Sequence, residues 1–225
     1  MLKYKNLNFG EIHSMKKYYT FICFLLGIFF MPFSLFSQNE KSFEKGTNVI
    51  SPAIGLVLYK VTVTDTNNVS NYDSAGAVLY QVGYEYGILN WLGAGGKFNY
   101  SHYINNDSGS TQKGSGLDFA VFLKAHALRT KRIDMFAGLD FGYSHFALDA
   151  NNGSGAYARA GGTYFGFNLN SRFYFGKVWG MNIFYNFDSY HYPKGIVSDN
   201  STNTYKFEWK SKSFFLLGAG LQFKL

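Results

Sequence analysis

Residues 163–175 alternate with a period of two. Phe165, Phe167, Leu169, Phe173 and Phe175 fall on one face, and Tyr164, Gly166, Asn168, Asn170, Arg172 and Tyr174 on the other. Successive side chains of a β-strand point to opposite faces, so this is the pattern of a strand with one apolar and one polar side. A slip of one residue would exchange the faces, and the register is therefore strongly specified. Residues 133–143 repeat it, with Ile133, Met135, Ala137, Leu139, Phe141 and Tyr143 against Asp134, Phe136, Gly138, Asp140 and Gly142. Residues 117–127 do so again, with Asp118, Ala120, Phe122, Lys124 and His126 on the polar side. Further strands are expected at about 48–62, 76–89, 91–103, 180–192 and 205–225, which with these three makes eight. Beyond residue 45 no apolar run is long enough for a helix to cross a bilayer.

The expected connections alternate in length. Those at 89–91, 129–132 and 176–180 are tight, whereas those at 64–75, 104–115, 149–162 and 193–204 are long and rich in Asn, Gly and Ser. Tight turns on one side and long loops on the other fit an antiparallel up-and-down transmembrane β-barrel, with turns periplasmic and loops extracellular. An even strand count puts both ends of the barrel domain on the turn side. The last strand, at 205–225, exceeds the roughly 9–11 residues that a membrane strand needs, so its first part is expected to protrude as an edge able to pair with a partner strand.

Periodicity does not say which face points outward, and a soluble barrel of lipocalin type would reverse the two. Three features favour the polar face inside. That face carries Gly83, Gly93, Gly95, Gly138, Gly142, Phe122, Phe136 and Phe184 and few long charged chains, which suits a packed lumen. The apolar face is nearly free of charge. Its aromatics gather near strand ends, with Tyr84, Tyr86, Phe173, Phe175 and Phe223 toward the turns and Phe98, Tyr100 and Tyr143 toward the loops, as in the girdles at two lipid interfaces. Aromatics at 20% and charged residues at only 16% fit the same class.

Met15-Lys16-Lys17 followed by an apolar stretch to Phe36 reads as a secretory signal peptide, with cleavage expected after Ser37. Three segments follow: 1–14, an upstream extension from a mis-assigned start; 15–37, the signal; and 38–225, the barrel. The uncleaved-anchor alternative rests on the length of the apolar run. Cys23, the single cysteine, falls in the signal, so the mature chain is expected to have no disulfide and no cysteine-based metal site. Removing residues 1–37 leaves 17 basic and 13 acidic residues, a balance that does not call for nucleic acid as a partner.

The chain ends Gly220-Leu221-Gln222-Phe223-Lys224-Leu225, with Gly220, Phe223 and Leu225 placed as in the signal read by the outer-membrane assembly machinery. Taken with the Ser37-Gln38 junction and the Gly83-Tyr84-Glu85-Tyr86-Gly87 segment, the mature chain resembles the outer-membrane β-barrel family of Bacteroidota that includes PorT-like proteins. In architecture it is similar to the small OmpA and OmpX barrels. The resemblance departs at Leu225, commonly Phe or Tyr, and at Gly218, commonly polar. It implies the cell outer membrane as location and the assembly machinery as partner, and it brings no catalytic motif.

No metal-ligand spacing, P-loop, dinucleotide fingerprint or Gly-x-Ser-x-Gly elbow occurs, so no enzyme activity, cofactor or metal is expected. The polar faces place Glu85, Asp118, Asp134, Asp140 and Asp188 in the lumen with Lys97, Lys124, Arg172 and Lys224, and an interior of this width is filled by side chains. Glu85 and Lys97 flank the first tight turn and are expected to pair; buried charges persist only when paired. His102, His145 and His191 lie near the loop end in the outward phase. Ser189 shares the phase of His191, which raises a lipid A-modifying reading, but the histidines stand on alternate strands about 10 Å apart, too far for one metal or one triad. Arg159, Lys194, Lys206, Lys210 and Lys212 lie on or near the loop side and suit contact with lipopolysaccharide. The expected function is a non-enzymatic, monomeric outer-membrane protein with a filled lumen, in a structural role or meeting lipid, lipopolysaccharide or a protein partner. A narrow channel and a secretion-accessory barrel are the alternatives.

Overall fold

The computed structural model describes residues 41–64, 70–104, 112–150, 156–198 and 204–225. The expected signal and upstream extension lie outside these. Eight strands follow in order: β1 (Asn48–Thr64), β2 (Ser70–Leu89), β3 (Leu92–Ile104), β4 (Gln112–Arg129), β5 (Ile133–Ala150), β6 (Tyr157–Tyr174), β7 (Trp179–Ser198) and β8 (Thr204–Lys224). Each pairs antiparallel with its neighbours, and β8 returns to β1, closing the barrel. The chain is thus an all-β antiparallel fold with no helix among the described residues.

Closure leaves two surfaces, and the alternation divides the residues between them. On β5, Asp134, Phe136 and Asp140 are buried in the lumen while Leu139, Phe141 and Tyr143 are exposed outside. On β4, Asp118, Phe122 and His126 face in, while Phe119, Val121 (67% exposed) and Leu123 face out. Apolar outside and polar inside is the reverse of a soluble barrel. Trp91, Tyr84, Tyr86, Phe175 and Trp179 ring the exterior at the turn end.

Several inward positions are glycine because the wall crowds them. A Cβ on Gly95 would lie 1.9 Å from the Tyr84 carbonyl oxygen and 2.6 Å from the Phe122 ring. The space taken by Glu85 and Phe122 is space that Gly95 leaves.

Strands run further toward the loop end than expected. They span 13 to 21 residues, and much of what reads as loop at 64–75, 104–115, 149–162 and 193–204 is ladder. Residues poor in β-propensity are carried there because the neighbouring backbone supplies the hydrogen bonds whatever the side chain. The expectation that the first part of the last strand offers a free edge is corrected for the same reason. β7 pairs β8 up to Ser198↔Thr204, and β1 pairs it up to Thr64↔Glu208, so its upper part is flanked on both sides over most of its length.

The expected turns are short: Asn90 and Trp91 join β2 to β3, residues 130–132 join β4 to β5, and residues 175–178 join β6 to β7. Beneath this end lies a segment with no sequence period, residues 42–47. Its Ser42 amide donates to the Thr130 carbonyl at 2.9 Å, its Gly46 amide to the Gly87 carbonyl at 2.8 Å, and its Thr47 carbonyl accepts from the Gly87 amide at 2.8 Å. Phe43 inserts into the lumen, fully buried.

Candidate functional site

The lumen is filled in three tiers. Nearest the turns, Arg172 on β6 donates to Glu85 on β2 and, at 3.3 Å, to Asp134 on β5. His126 on β4 lies between the same two carboxylates, with Nε2 2.7 Å from Glu85 and Nδ1 2.7 Å from Asp134. Ionised carboxylates only accept, so both ring nitrogens must donate and the ring carries its second proton. Lys124 adds a contact to Glu85 at 3.4 Å. Rings close the tier: Phe43 stacks on His126 with centroids 3.6 Å apart, Phe122 lies 3.8 Å from the Lys124 ammonium, and Phe136 lies 4.2 Å from the Arg172 guanidinium. Aromatic faces attract cations, most strongly where water is excluded.

In the middle tier Lys97 on β3 donates to Asp140 on β5 at 2.7 Å, and Asn168 donates to the same carboxylate at 3.0 Å. Asp118 is met by neutral donors: Ser144 at 2.5 Å, Tyr190 at 3.3 Å and Asn99 at 3.4 Å. Asp188 accepts from the Tyr164 hydroxyl at 2.9 Å, while its second oxygen has no hydrogen-bond partner among the described residues. Three buried carboxylates therefore sit around one ammonium.

Above this, Tyr59, Tyr103, Phe146, Tyr190, Tyr192 and Trp209 pack ring against ring. Phe146 and Trp209 approach to 3.9 Å and Tyr59 and Tyr190 to 5.7 Å between centroids. Between the lower tiers remains a small polar cavity lined by Ser51, Gln81, Lys97, Lys124, Asn170 and Asn182 among others.

The expected Glu85–Lys97 pair is corrected. The ladder sets Glu85 opposite Gly95 and Lys97 opposite Gly83, so Glu85 is free to turn toward Arg172 and His126 while Lys97 reaches Asp140. Lys224 forms no ion pair with the network among the described residues. Its backbone amide, 2.6 Å from the Val178 carbonyl, places it at the turn end of β8. His126 takes its place as the fourth cation. The residue shares the phase of Lys124 and Asp118, which was the available signal. Phe43 precedes the first strand and gave none.

On the exterior, His102, His145 and His191 are exposed on β3, β5 and β7. His191 bonds Glu208 at 2.9 Å, but no hydrogen bond joins it to Ser189 among the described residues, so a nucleophile–base contact is missing. No group of three or more His, Cys, Asp or Glu arranged for a metal occurs among the described residues. Arg159, Lys194, Lys206, Lys210 and Lys212 stand on strands β6, β7 and β8 rather than in loops. Of the C-terminal residues, Phe223 and Leu225 are exposed, Phe223 opposite Ile50 and Trp179, and Gly220 lies against Pro52, whose carbonyl oxygen would be 2.2 Å from a Cβ.

No protein-family model matches the chain, and no curated protein sequence does. Solved structures do. The outer membrane protein OprG from Pseudomonas aeruginosa aligns over 81% of this chain and 97% of its own, with TM-score 0.56 and 13% identity. Neisserial surface protein A aligns over 80% and 98%, with TM-score 0.48 and 12% identity. The outer membrane protease OmpT from Escherichia coli aligns over 84% and 99%, with TM-score 0.49 and 9% identity. At such identities the likeness to OprG is one of fold: this chain has the fold of an outer-membrane β-barrel protein.

Proposed function

We propose that the chain is a non-enzymatic barrel of the bacterial outer membrane with a closed lumen, acting as a structural element and through its outer surface. The observation that carries this reading is the strut across the turn-side tier. Arg172 and Glu85 stand on strands half a turn apart around the ring, and their contact leaves no straight path between them. The aromatic tier closes the lumen again toward the loop end. The location rests on the exterior, where Leu56, Val121, Phe141 and Leu221 are exposed on a wall that would be costly in water and suits hydrocarbon. The Gly220, Phe223 and Leu225 ending fits recognition by the assembly machinery.

Two measurements test it. Cell fractionation is expected to recover the protein with the outer membrane and to show different gel mobility before and after heating; recovery as a soluble periplasmic protein sinks the reading. Planar-bilayer recording is expected to show no steady conductance. The polar cavity gives the channel alternative its one support, and stable ion-selective conductance would establish it. The secretion-accessory role that the PorT-like resemblance implies is separated by cross-linking and pull-down, where a reproducible secretion-complex partner favours it.

A further inference from the structure

The outer wall at the loop end is not uniform. In the β1–β8 ladder Lys60 stands directly opposite Lys212, and in the β8–β7 ladder Lys212 stands opposite Ser189. One step higher, Thr62, Lys210 and His191 form a second row. Lys60, Lys210, Lys212 and His191 are exposed, and Lys194 is exposed beside them at the irregularity in β7. Glu208 is the one acid among the described outward residues of these three strands, and His191 and Lys210 already hold it, each at 2.9 Å. Elsewhere on the wall, Arg159 on β6 is matched by Asp149 on β5 at 2.5 Å. An excess of positive charge thus gathers on β7 and β8, beside β1.

Two facts give this patch a direction. Lys194 and Lys212 form no ion pair among the described residues, so an anion at this height would meet ammoniums that no carboxylate already holds. The row also sits on the apolar wall: Leu58 on β1 and Phe187 on β7 are exposed just below it, and Leu217 on β8, opposite Leu56, one row further down. From Ile50 to Leu58, eight residue steps of about 3.3 Å at a tilt near 40° rise roughly 20 Å, close to the height of a lipid-facing band. The ammonium and hydroxyl groups therefore lie at headgroup level on the loop side.

We infer that the β7–β8–β1 wall binds the phosphate groups of an outer-leaflet glycolipid, with Lys210 and Lys212 as ammonium donors and Ser189 and Thr62 as hydroxyl donors. The inference rests on the outer-membrane placement proposed above. A lipid is chosen over a soluble anion because its acyl chains would cover Leu58, Phe187 and Leu217 while its phosphates meet the row. A free phosphate would meet the charges alone.

The test uses the folded full barrel in detergent and follows lipid retention by native mass spectrometry. The probes are diphosphoryl lipid A, the same lipid with both phosphates removed, and inorganic phosphate as competitor. Dephosphorylation is expected to weaken retention about tenfold or more. Lys210→Gln with Lys212→Gln is expected to abolish that preference, while Lys177→Gln, at the turn end, leaves it intact. Equal retention of the two lipids overturns the inference, as does a double variant that discriminates like wild type. Full displacement by inorganic phosphate at concentrations equal to the lipid overturns the choice of a lipid. Heat-dependent gel mobility verifies folding of the double variant, and the wild-type comparison of the two lipids decides even if that variant does not fold. Conductance recorded on the same preparation separates the two proposals: a conducting barrel that still prefers phosphorylated lipid sinks only the closed lumen.

Discussion

Arg172 and Glu85 are hydrogen-bonded across the width of the barrel, although they stand on β6 and β2 and lie 87 residues apart in the chain. Both are almost wholly buried, and each has a second charged neighbour: Asp134 for Arg172, and His126 for Glu85. Taking charges out of water is costly, and the contact persists because every charge in it is matched.

Removing Arg172 takes the guanidinium from two buried carboxylates, leaving Glu85 to His126 and Lys124 and Asp134 to His126 alone. Arg172→Ala is expected to lower stability by about 3–5 kcal/mol, read as a lower urea midpoint in detergent or lipid. Arg172→Lys should fall between, since an ammonium restores charge but not the fork that reaches Glu85 and Asp134 together. A midpoint unchanged by Arg172→Ala would mean the strut is hydrated and contributes nothing.

Asp188 predicts the opposite sign. It has one donor, Tyr164, a second oxygen with no partner, and no ion pair within bridging distance among the described residues. Asp188→Asn keeps the acceptor for Tyr164 and removes a buried charge that has no direct ion pair and shares Lys97 with two other carboxylates, so stability should hold or rise by roughly 1 kcal/mol. A loss of more than about 1 kcal/mol on the same unfolding assay would show that the carboxylate has a charge partner in the folded barrel.

Two glycines on the inner wall should separate crowding from backbone freedom. Gly95→Ala drives a methyl into the Tyr84 carbonyl and Phe122, and is expected to cost about 1–3 kcal/mol. Gly83→Ala meets nothing nearer than 3.8 Å and should be neutral or stabilising by about 0.5–1 kcal/mol. Equal effects at the two positions would refute the packed-lumen account.

Phe43 is expected to matter as much as a core residue. Phe43→Ala removes a fully buried ring stacked on His126 and should cost about 3 kcal/mol or more. Hydrogen exchange at the Ser42 and Gly46 amides should accelerate in the same variant. Exchange as slow as in wild type would show that the segment is held by its backbone bonds alone.

Period-two alternation made the strands and their two faces legible, and with them the inward placement of Glu85, Asp134, Asp140 and Arg172. The choice of partners was not legible, because in a narrow barrel a side chain reaches across as readily as along the wall. Glu85 therefore meets a residue four strands away rather than Lys97 on the next strand. His126 went uncounted because its charge depends on two carboxylates that only the fold brings to it. Strand ends toward the loops were underestimated because Asn-, Gly- and Ser-rich stretches signal turns locally, whereas paired neighbours carry them as ladder.

The segment beneath the lumen also says something about time. Its seats belong to two hairpins: Gly87 and Asn90 at the β2–β3 end, and Thr130, Ile133 and His126 at the β4–β5 end. Until those hairpins stand side by side, Phe43 has no pocket to enter and Ser42 no acceptor to meet. The earliest described residues in the chain must therefore be among the last to settle, like a stopper pressed home once the vessel has been thrown, and their protection from exchange is a clock for completed assembly.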